Sequence, residues 1–286
     1  MPELPEVEHV VRALRHTITG RTIVAGEVRL PKLIAPLSAA AFHRKVKGST
    51  IKGVSRRGKF ILIECHRGRN TESNRSDFIL AVHLRMTGKF LYLYPDDDIP
   101  KHSHAIFYLD NDRRLVFRDQ RQFGVMKLIA GGQLTRTKGI KELAPEPFGE
   151  DFNPEYLKSV VHRSRRSLKT LLLDQTKVLG LGNIYASEAL FRARINPFKI
   201  AGELSPARII RLHQSILAVL RDAITDSSTS RIDLEQEDGF SYGEAFERFW
   251  QVYEREGESC VNCGSKIRRA THGGRSTYWC PKCQRR

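Results

Sequence analysis

The sequence carries two close cysteine pairs, Cys260-Val261-Asn262-Cys263 and Cys280-Pro281-Lys282-Cys283, with sixteen residues between them. Four thiolates in two such pairs match the tetrahedral coordination of zinc, and this spacing is typical of a small β-ribbon. Two disulfides are the alternative, which the lack of a secretory signal disfavours. Because four cysteines leave no open coordination position, we expect one structural Zn²⁺ rather than a catalytic metal.

The charge of the chain indicates a polyanionic partner. Lysine and arginine total 48 against 32 acidic residues, which gives a net charge of +16, and residues 260–286 contain seven basic side chains and no acidic one. Basic side chains supply most non-specific affinity for nucleic acid. An anionic membrane is the competing partner, but no basic amphipathic helix and no membrane-length apolar run supports it. We therefore expect a nucleic-acid-binding protein of the cytoplasm.

The first eight residues, Met1-Pro2-Glu3-Leu4-Pro5-Glu6-Val7-Glu8, carry a possible nucleophile. Removal of Met1 would leave a proline whose secondary amine titrates near ~7.7–8.0, well below the roughly 10.4 of lysine. An unprotonated amine can form a Schiff base with an electrophilic carbon, and the neighbouring carboxylates can move protons. The alternative is an ordinary helix start, since proline and glutamate favour the first helical turn.

Apolar periodicity divides the chain into a β-rich part and a helical part. Val7, Val10, Val11, Leu14 and Ile18 form one face of a first helix that Gly20 ends. Short strands with close turns then predict an antiparallel sandwich or barrel. These strands are Thr22–Val24, Phe60–Cys65, Phe78–Leu84, Phe90–Tyr94, Ala105–Leu109, Leu115–Arg118 and Val125–Ile129.

Helical patterns follow an extended linker near residues 141–154. They cover Tyr156–Val161, Ser167–Leu179, Ile184–Arg194 and Arg208–Ile224. The turn Gly180-Leu181-Gly182-Asn183 joins two of them, and we expect Asn183 to cap the helix that follows. A helix start of this kind can also bind a phosphate, which Lys169 could reach, although plain capping is the usual role of such a turn.

Several turns place unusual side chains at their tips. Met86 and Phe123 are apolar residues in loops, which are normally solvated, so they either fold back over the sheet or act as wedges between DNA bases. Arg121 could then fill space in the base stack. Arg275 in the ribbon turn and Lys59 in a basic turn are candidates for phosphate contacts, and the alternative for each is a solvated surface charge.

Taken together, these motifs resemble the formamidopyrimidine-DNA glycosylase family, over nearly the whole chain. The matching segments are Pro2–Glu8, Arg57–Lys59, His83–Gly88, Lys101–His104, Arg121–Gly124, Gly182–Glu188 and Gly273–Thr277 with the four cysteines. The resemblance implies an α+β multidomain protein with an N-terminal β-sandwich domain that includes an N-terminal helix. A helix–two-turn–helix domain and a C-terminal zinc ribbon complete the implied fold.

Residue roles follow from the matching positions. The resemblance implies that Pro2 is the nucleophile, that Glu3 moves protons at the sugar and that Lys59 assists the lyase step. Met86, Arg121 and Phe123 would fill the gap left by a flipped nucleotide, and His102 would contact DNA. Phosphates would be held by Lys169, Asn183 and Arg275. Arg275 would also be the proton donor for δ-elimination. Glu6 is expected only to orient the first turn.

The implied function is base-excision repair of oxidised purines in duplex DNA, with strand cleavage by β,δ-elimination. An endonuclease VIII-like enzyme for oxidised pyrimidines and a non-catalytic zinc-ribbon protein that binds damaged DNA are the alternatives. The expected modules are residues 1–138, a linker at 139–154, residues 155–238 and residues 239–286, in a monomer associated with a bacterial nucleoid. Residues 238–244 and Glu254 depart from the family pattern.

Overall fold

A computed structural model describes residues 1–68, 77–225, 232–235 and 250–285. The chain forms two compact units, one from Met1–Lys141 with Ser227–Phe246 and the other from Glu142–Asp226 with Glu247–Arg286. Most of the expected loop at 66–77, and all of the divergent segment at 238–244, lie outside the described residues. Within the described part, no helix has the length and apolarity needed to cross a bilayer.

The first helix, α1 (Leu4–Ile18), forms as predicted. Glu3 is its N-cap, and Glu3 and Glu6 form a reciprocal capping box: each side chain accepts the backbone N–H of the other residue. Val7, Val10, Val11, Leu14 and Ile18 are all buried. Gly20 adopts a φ of +84°, which glycine tolerates without steric cost, and the chain leaves the helix there.

The rest of the first unit is built on one antiparallel sheet of eight strands in the order β5-β7-β6-β1-β2-β3-β4-β8. The strands are β1 (Thr22–Val28), β2 (Ser49–Arg57), β3 (Phe60–Arg67), β4 (Phe78–His83), β5 (Gly88–Leu93), β6 (Ser103–Leu109), β7 (Arg114–Asp119) and β8 (Val125–Ala130). Side chains from both ends of this order, such as Phe90 of β5 and Met126 of β8, belong to one core with α1. The sheet therefore folds over itself, and the expected two-layered β-domain is confirmed.

Two elements of this unit were not predicted. Strand β2 lacks a clear alternation because a bulge between Ile51 and Gly53 shifts its register against β3. Helix α2 (Ala39–Val46) is short, with Ser38 as its N-cap, and it buries only Phe42 and Val46. Both elements present too few regularly spaced apolar residues for a periodic pattern.

A short segment from much later in the chain completes the first unit. Leu234 is 5% exposed and lies in the same core as α1 and the sheet. Its carbonyl oxygen accepts the backbone N–H of Tyr92 at 2.6 Å. Beside it, the carboxylate of Glu235 pairs with Arg113, whose guanidinium also lies over the rings of Tyr92 and Tyr94. Residues 232–235 are therefore an integral part of the sheet unit.

The described residues of the second unit form four α-helices and a two-stranded ribbon. The helices are α3 (Pro154–His162), α4 (Leu168–Leu172), α5 (Asn183–Arg192) and α6 (Pro206–Thr225), and the ribbon consists of β9 (Arg268–His272) and β10 (Arg275–Trp279). The expected helix Ser167–Leu179 is shorter than its apolar pattern indicates, because the chain turns at Asp174, whose carboxylate accepts the backbone N–H and hydroxyl of Thr176.

Candidate functional site

The N-terminus is held by its own first turn. The Glu6 carboxylate accepts the Glu3 N–H at 2.7 Å, and both carboxylates are buried. Pro2 is buried as well, whereas Met1 outside it is 50% exposed. Removing Met1 would therefore uncover the proline nitrogen without disturbing the helix. Glu3 follows Pro2 directly in the chain, and the capping box holds Glu3 in place. Glu6 supports this arrangement by accepting the Glu3 N–H.

Two polar contacts fasten α1 to β2. The Glu8 carboxylate accepts Arg56 Nε at 2.7 Å, and Arg15 Nε donates to the Val54 carbonyl at 2.9 Å. Burial alone would raise the pKa of Glu8, but Arg56 and Arg12 outweigh it, so the pKa lies below its ordinary value. This pairing fixes the helix that carries the N-terminus against the strand that leads to Lys59.

Lys59 occupies a tight turn at the end of β2. Arg57 pairs with Phe60, so Gly58 and Lys59 form a two-residue hairpin loop, and Gly58 has a φ of +55° as the first residue of that loop. The Lys59 side chain is buried rather than solvated. Its charge is close enough to His83 to influence that ring, so the basic turn faces the end of β4.

His83 is a neutral group beside this lysine. Burial lowers the pKa of His83 to about 3, and the positive charges of Arg85 and Lys59 add to the shift. The His83 Nδ1 atom accepts the Arg85 N–H at 3.0 Å, so the ring proton is on Nε2. The ring packs edge-on against Phe60 at 4.9 Å between centroids. His83 lies within the predicted strand Phe78–Leu84, so the sequence gave no reason to predict an individual role for this side chain.

The predicted wedge residues are exposed at loop tips. Met86 is 40% exposed and Phe123 52% exposed, while Arg121 places its guanidinium carbon 5.0 Å from the centre of the Phe123 ring. The alternative that these side chains fold back over the sheet does not fit this exposure. Each loop also contains one residue with positive φ, Arg85 at +57° and Gln122 at +56°. Non-glycine residues in this region are strained and concentrate at functional sites.

His102 lies at a third such turn, directly before β6. Its φ is +66° and its side chain is exposed. The His102 carbonyl accepts the backbone N–H of Asp119, and the neighbouring His104 donates from Nε2 to the Asp119 carbonyl at 2.9 Å. The structure therefore connects the turn of His102 with the loop of Arg121, while His104 is a buried structural residue.

In the second unit, the ribbon turn presents Arg275. Gly273 and Gly274 have φ values of +56° and +73°, the geometry of a type I′ hairpin turn, and Arg275 beside them is exposed. His272 on the other side of the turn contacts the start of α4 through Ser167 Oγ at 2.5 Å and Thr170 Oγ1 at 3.2 Å. The turn that carries Arg275 is therefore held against the start of α4 by the two contacts of His272.

Lys169 and Asn183 meet at the residue after that arginine. The carbonyl oxygen of Ser276 accepts Lys169 Nζ at 2.9 Å and Asn183 Nδ2 at 3.0 Å. The expectation that Asn183 caps the following helix is wrong: Gly182 is the N-cap of α5, and the Asn183 amide is directed at the ribbon instead. Lys169 is buried and also donates to Ser187 Oγ. Two of the three predicted phosphate-binding residues of this unit therefore meet at one carbonyl, and the third, Arg275, directly precedes that residue in the chain.

The four cysteines form a closed metal site. Their sulfur atoms all lie within 4.8 Å of one another, with Cys263 and Cys280 at 3.5 Å and Cys260 and Cys283 at 3.9 Å. Two sulfurs bound tetrahedrally to zinc at about 2.3 Å lie about 3.8 Å apart. These separations are far longer than the ~2.05 Å of a disulfide. The cysteines therefore hold one structural Zn²⁺, as the spacing predicted.

The buried carboxylate of Glu188 was not predicted as an important residue. It accepts three successive backbone N–H groups, those of Gln251, Val252 and Tyr253, at 2.9–3.0 Å. Burial raises the pKa of this carboxyl despite the three donors, which act in the opposite direction. Glu188 thereby fixes the segment that precedes the zinc module.

Three family models cover most of the chain. Residues 1–126 match the formamidopyrimidine-DNA glycosylase N-terminal domain, and residues 143–233 match the H2TH domain of the same family. Residues 257–286 match a zinc finger found in FPG and IleRS. The three matches follow the order of the sheet unit, the helices and the cysteine ribbon.

Full-length relatives agree with the family models. The chain is 44% identical over 285 residues to the formamidopyrimidine-DNA glycosylase of Pelotomaculum thermopropionicum, covering 100% of this chain and 99% of the relative. It is 37% identical over 288 residues to that of Bacillus cereus, covering 100% of both. Among solved structures, Lactococcus lactis Fpg with abasic-site DNA matches with a TM-score of 0.85 and 35% identity, covering 99% of this chain and 100% of that one.

A second Lactococcus lactis Fpg structure, bound to DNA containing an oxidised pyrimidine, matches with a TM-score of 0.86 and 35% identity, covering 100% of both chains. Identity at this level over the full length to enzymes named formamidopyrimidine-DNA glycosylase decides against the endonuclease VIII-like and non-enzymatic alternatives. The chain belongs to the formamidopyrimidine-DNA glycosylase family, the DNA glycosylases with AP lyase activity that remove oxidised purines in base excision repair.

Proposed function

We propose that the Pro2 nitrogen, once Met1 is removed, attacks C1′ of an oxidised purine nucleotide flipped out of duplex DNA. The bond between C1′ and the base breaks, its electrons leave with the base, and a proton supplied through Glu3 completes the departure. A damaged base costs less to unpair, which favours its extrusion. The Pro2 nitrogen loses its proton, and its lone pair then breaks the C1′–O4′ bond while O4′ takes up a proton through Glu3, so the sugar ring opens. The product is an iminium ion that joins Pro2 to C1′ of the opened sugar.

The same iminium explains strand cleavage. It acidifies the C2′ proton, and loss of that proton expels the 3′ phosphate with the electrons of the C3′–O bond. A second elimination, assisted by protonation from Arg275, expels the 5′ phosphate. In this proposal Lys59, buried in its turn beside the neutral His83, assists the first elimination. One secondary amine therefore serves both the glycosylase and the lyase steps.

The capping box of Glu3 and Glu6 is the observation that carries the proposal. It holds the residue after Pro2 at a fixed place, and the Glu8–Arg56 pair fixes that helix to the strand leading to Lys59. Effective catalysis by a nucleophile requires such prior positioning. Glu6 accepts the Glu3 N–H, which supports a purely structural role for Glu6.

DNA binding is proposed for the loop-tip residues and for the predicted phosphate-binding residues. Met86, Arg121 and Phe123 would fill the gap left by the flipped nucleotide, since apolar side chains can separate stacked bases. His102, Lys169, Asn183 and Arg275 would bind the backbone, and the meeting of Lys169 and Asn183 at the Ser276 carbonyl supports a shared task beside Arg275. We also propose a monomer at the bacterial nucleoid, with modules at 1–138, 155–238 and 239–286 and a linker at 139–154. The module at 155–238 contributes residues 232–235 to the sheet unit.

Borohydride trapping tests the covalent step. Fully processed protein should form a trapped adduct with an 8-oxoguanine duplex, and Pro2→Gly should weaken or abolish it. Glu3→Gln keeps the side-chain shape and should slow base removal on the duplex more than trapping on a preformed abasic site. The same chain with an N-terminal tag should bind DNA without being trapped. No adduct from protein whose mass shows loss of Met1 would refute the mechanism.

Lesion preference is tested by direct comparison. Matched duplexes with 8-oxoguanine, a formamidopyrimidine or an oxidised pyrimidine should be cut with the two purine lesions preferred. The relative that has been crystallised with oxidised-pyrimidine DNA makes this comparison necessary. A faster reaction on the oxidised pyrimidine would overturn the proposed preference while leaving the Pro2 chemistry intact. Sedimentation with and without DNA tests the proposed monomer.

A further inference from the structure

The loops of Met86 and Arg121 are joined by a hydrogen-bond network centred on a buried carboxylate. We call this network the Asp119 junction: it consists of the carboxylate of Asp119, the hydroxyl of Thr87 and the backbone N–H groups of Arg121 and Gly124. The Thr87 hydroxyl donates to Asp119 Oδ1 and accepts the Arg121 N–H at 3.0 Å. The Gly124 N–H donates to Asp119 Oδ2 at 2.7 Å. Asp119 is 1% exposed, so its bond to the Gly124 N–H is shielded from water, whereas the bond between Thr87 and the Arg121 N–H lies at the surface.

The junction lies on one aromatic ring. A Cβ added to Gly88 would come within 2.9 Å of Phe117 Cζ, and one added to Gly124 within 2.7 Å of the same atom. Both loops therefore bring bare backbone against the ring, which is fully buried and packs edge-on against Phe90 at 5.3 Å. Close packing of this kind leaves the two loops little freedom to move separately.

The junction also holds strained backbone. Arg85 and Gln122, the residues with positive φ in the two loops, lie next to Met86 and between Arg121 and Phe123. Such conformations persist only where surrounding contacts determine them. The Gln122 N–H donates to the Asp119 carbonyl at 3.2 Å, and the Arg85 N–H donates to His83 Nδ1 at 3.0 Å. Thr87 and Asp119 then connect the two loops, through a hydroxyl on one side and backbone N–H groups on the other.

We infer that Thr87 and Asp119 are positioning residues that make Met86, Arg121 and Phe123 enter the duplex as one rigid group. This inference rests on the proposed function, because the three exposed side chains are the proposed wedges. Thr87 is the direct connection: it is the residue after Met86, and its hydroxyl bonds the backbone of Arg121. Opening the duplex and filling the gap then require no reorganisation of either loop at the moment of insertion.

The matched pair Thr87→Val and Thr87→Ser tests the inference. Valine keeps the shape of threonine without its hydroxyl, whereas serine keeps the hydroxyl. We expect Thr87→Val to lower kcat/KM on an 8-oxoguanine duplex about tenfold, which corresponds to about 1.4 kcal/mol. Thr87→Ser should retain most of the activity. Borohydride trapping on a single-stranded oligonucleotide with a preformed abasic site should be unchanged, because that substrate has no base stack to fill.

A fluorescent base placed opposite the lesion adds a direct readout. Its unstacking signal should appear more slowly with Thr87→Val than with the wild type, and hydrogen exchange at the Arg121 amide should become faster in the free protein. Wild-type rates on the duplex with Thr87→Val would overturn the inference, as would equal losses on both substrates or failure of serine to rescue. A wild-type protein inactive on both substrates would instead refute the proposed function, while the exchange measurement would still test the coupling.

Discussion

The carboxylate of Glu188 accepts the backbone N–H of Val252 at 3.0 Å, and the N–H groups on either side of Val252 bond the same carboxylate. One side chain of α5 thus fixes three consecutive residues that precede the cysteine module. Leaving a buried donor unpaired costs about 1–3 kcal/mol. The stability of this region should therefore depend strongly on a residue that is remote from the proposed chemistry.

Glu188→Ala should destabilise the protein more than Glu188→Gln. Alanine removes all acceptors, whereas the glutamine oxygen can still accept the two N–H groups that share Oε1, those of Val252 and Tyr253. We expect losses of about 3 kcal/mol for alanine and about 1 kcal/mol for glutamine, measured by urea unfolding. Equal losses for the two variants would show that the hydrogen bonds contribute little.

The comparison of the wild type with Glu188→Gln also predicts how the free energy of unfolding depends on pH. Burial raises the pKa of Glu188 above its ordinary 4.5, so the folded protein binds this proton more tightly than the unfolded chain. The stabilising contribution of the carboxyl is complete below pH ~4.5 and is lost as the pH rises through the folded pKa. The free energy of unfolding of the wild type relative to Glu188→Gln should therefore fall over that range. A difference independent of pH would contradict the raised pKa.

His83 should remain neutral throughout the physiological range. Its pKa, lowered to about 3, means that the folded state resists protonation between pH 6.5 and 3 while the unfolded chain does not. Its contribution to stability is present above pH ~6.5 and is lost as the pH falls through 3. His83→Asn, which keeps an acceptor for the Arg85 N–H, should flatten this dependence. Side-chain NMR provides the direct check, because a His83 resonance titrating near pH 6.5 would refute the shift.

Removing zinc should weaken DNA binding through the ribbon turn. The turn that carries Arg275 lies between the two cysteine pairs, so loss of the metal releases both strands that support it. Arg275→Ala should lower the slope of log affinity against log salt by about 1, and chelation should lower it further. Metal analysis should give one zinc per chain. Unchanged binding after verified zinc loss would show that the ribbon makes no contact with DNA.

Glu254 offers a test of backbone strain. This exposed residue has a φ of +58°, a region that favours glycine, and glycine is common there in the pattern that the sequence departs from. Glu254→Gly should stabilise the protein by roughly 0.5–1 kcal/mol in urea unfolding, because it relieves the strain. Glu254→Ala removes the same charge but keeps the strain. A gain with alanine equal to that with glycine would assign the effect to charge.

Gly124→Ala should destabilise the sheet unit. The added Cβ would lie 2.7 Å from Phe117 Cζ and 3.0 Å from Asp119 Oδ2, and overpacking of this kind costs about 1–3 kcal/mol. Gly53→Ala is the matched control, since a Cβ there meets nothing within 4 Å and the backbone is not in the left-handed region. Thermal unfolding should separate the two. Similar behaviour of the two variants would mean that the loop relaxes away from the ring.

The sequence predicted the parts of this protein that depend on side-chain identity. The periodic valines and leucines of α1 and the cysteine spacing identified a helix and a metal site, because burial and ligation select residue types at fixed intervals. Strand β2 was missed because its bulge breaks the alternation. Glu188 and Asp119 were missed because their partners are backbone N–H groups, which every non-proline residue supplies. The contact of Asn183 with Ser276 depends likewise on tertiary structure rather than local pattern.

The burial of Leu234 in the sheet core has a consequence for dissecting the protein. The first 141 residues contain every strand of the sheet, yet they lack the carbonyl that pairs with Tyr92 and the carboxylate that pairs with Arg113. No single cut in the chain can separate the two units, because the residues of the sheet unit lie both before and after the helices in the sequence. A fragment ending at residue 141 would expose the part of the core that Leu234 covers, so the sheet unit should be less stable when cut from the rest of the chain.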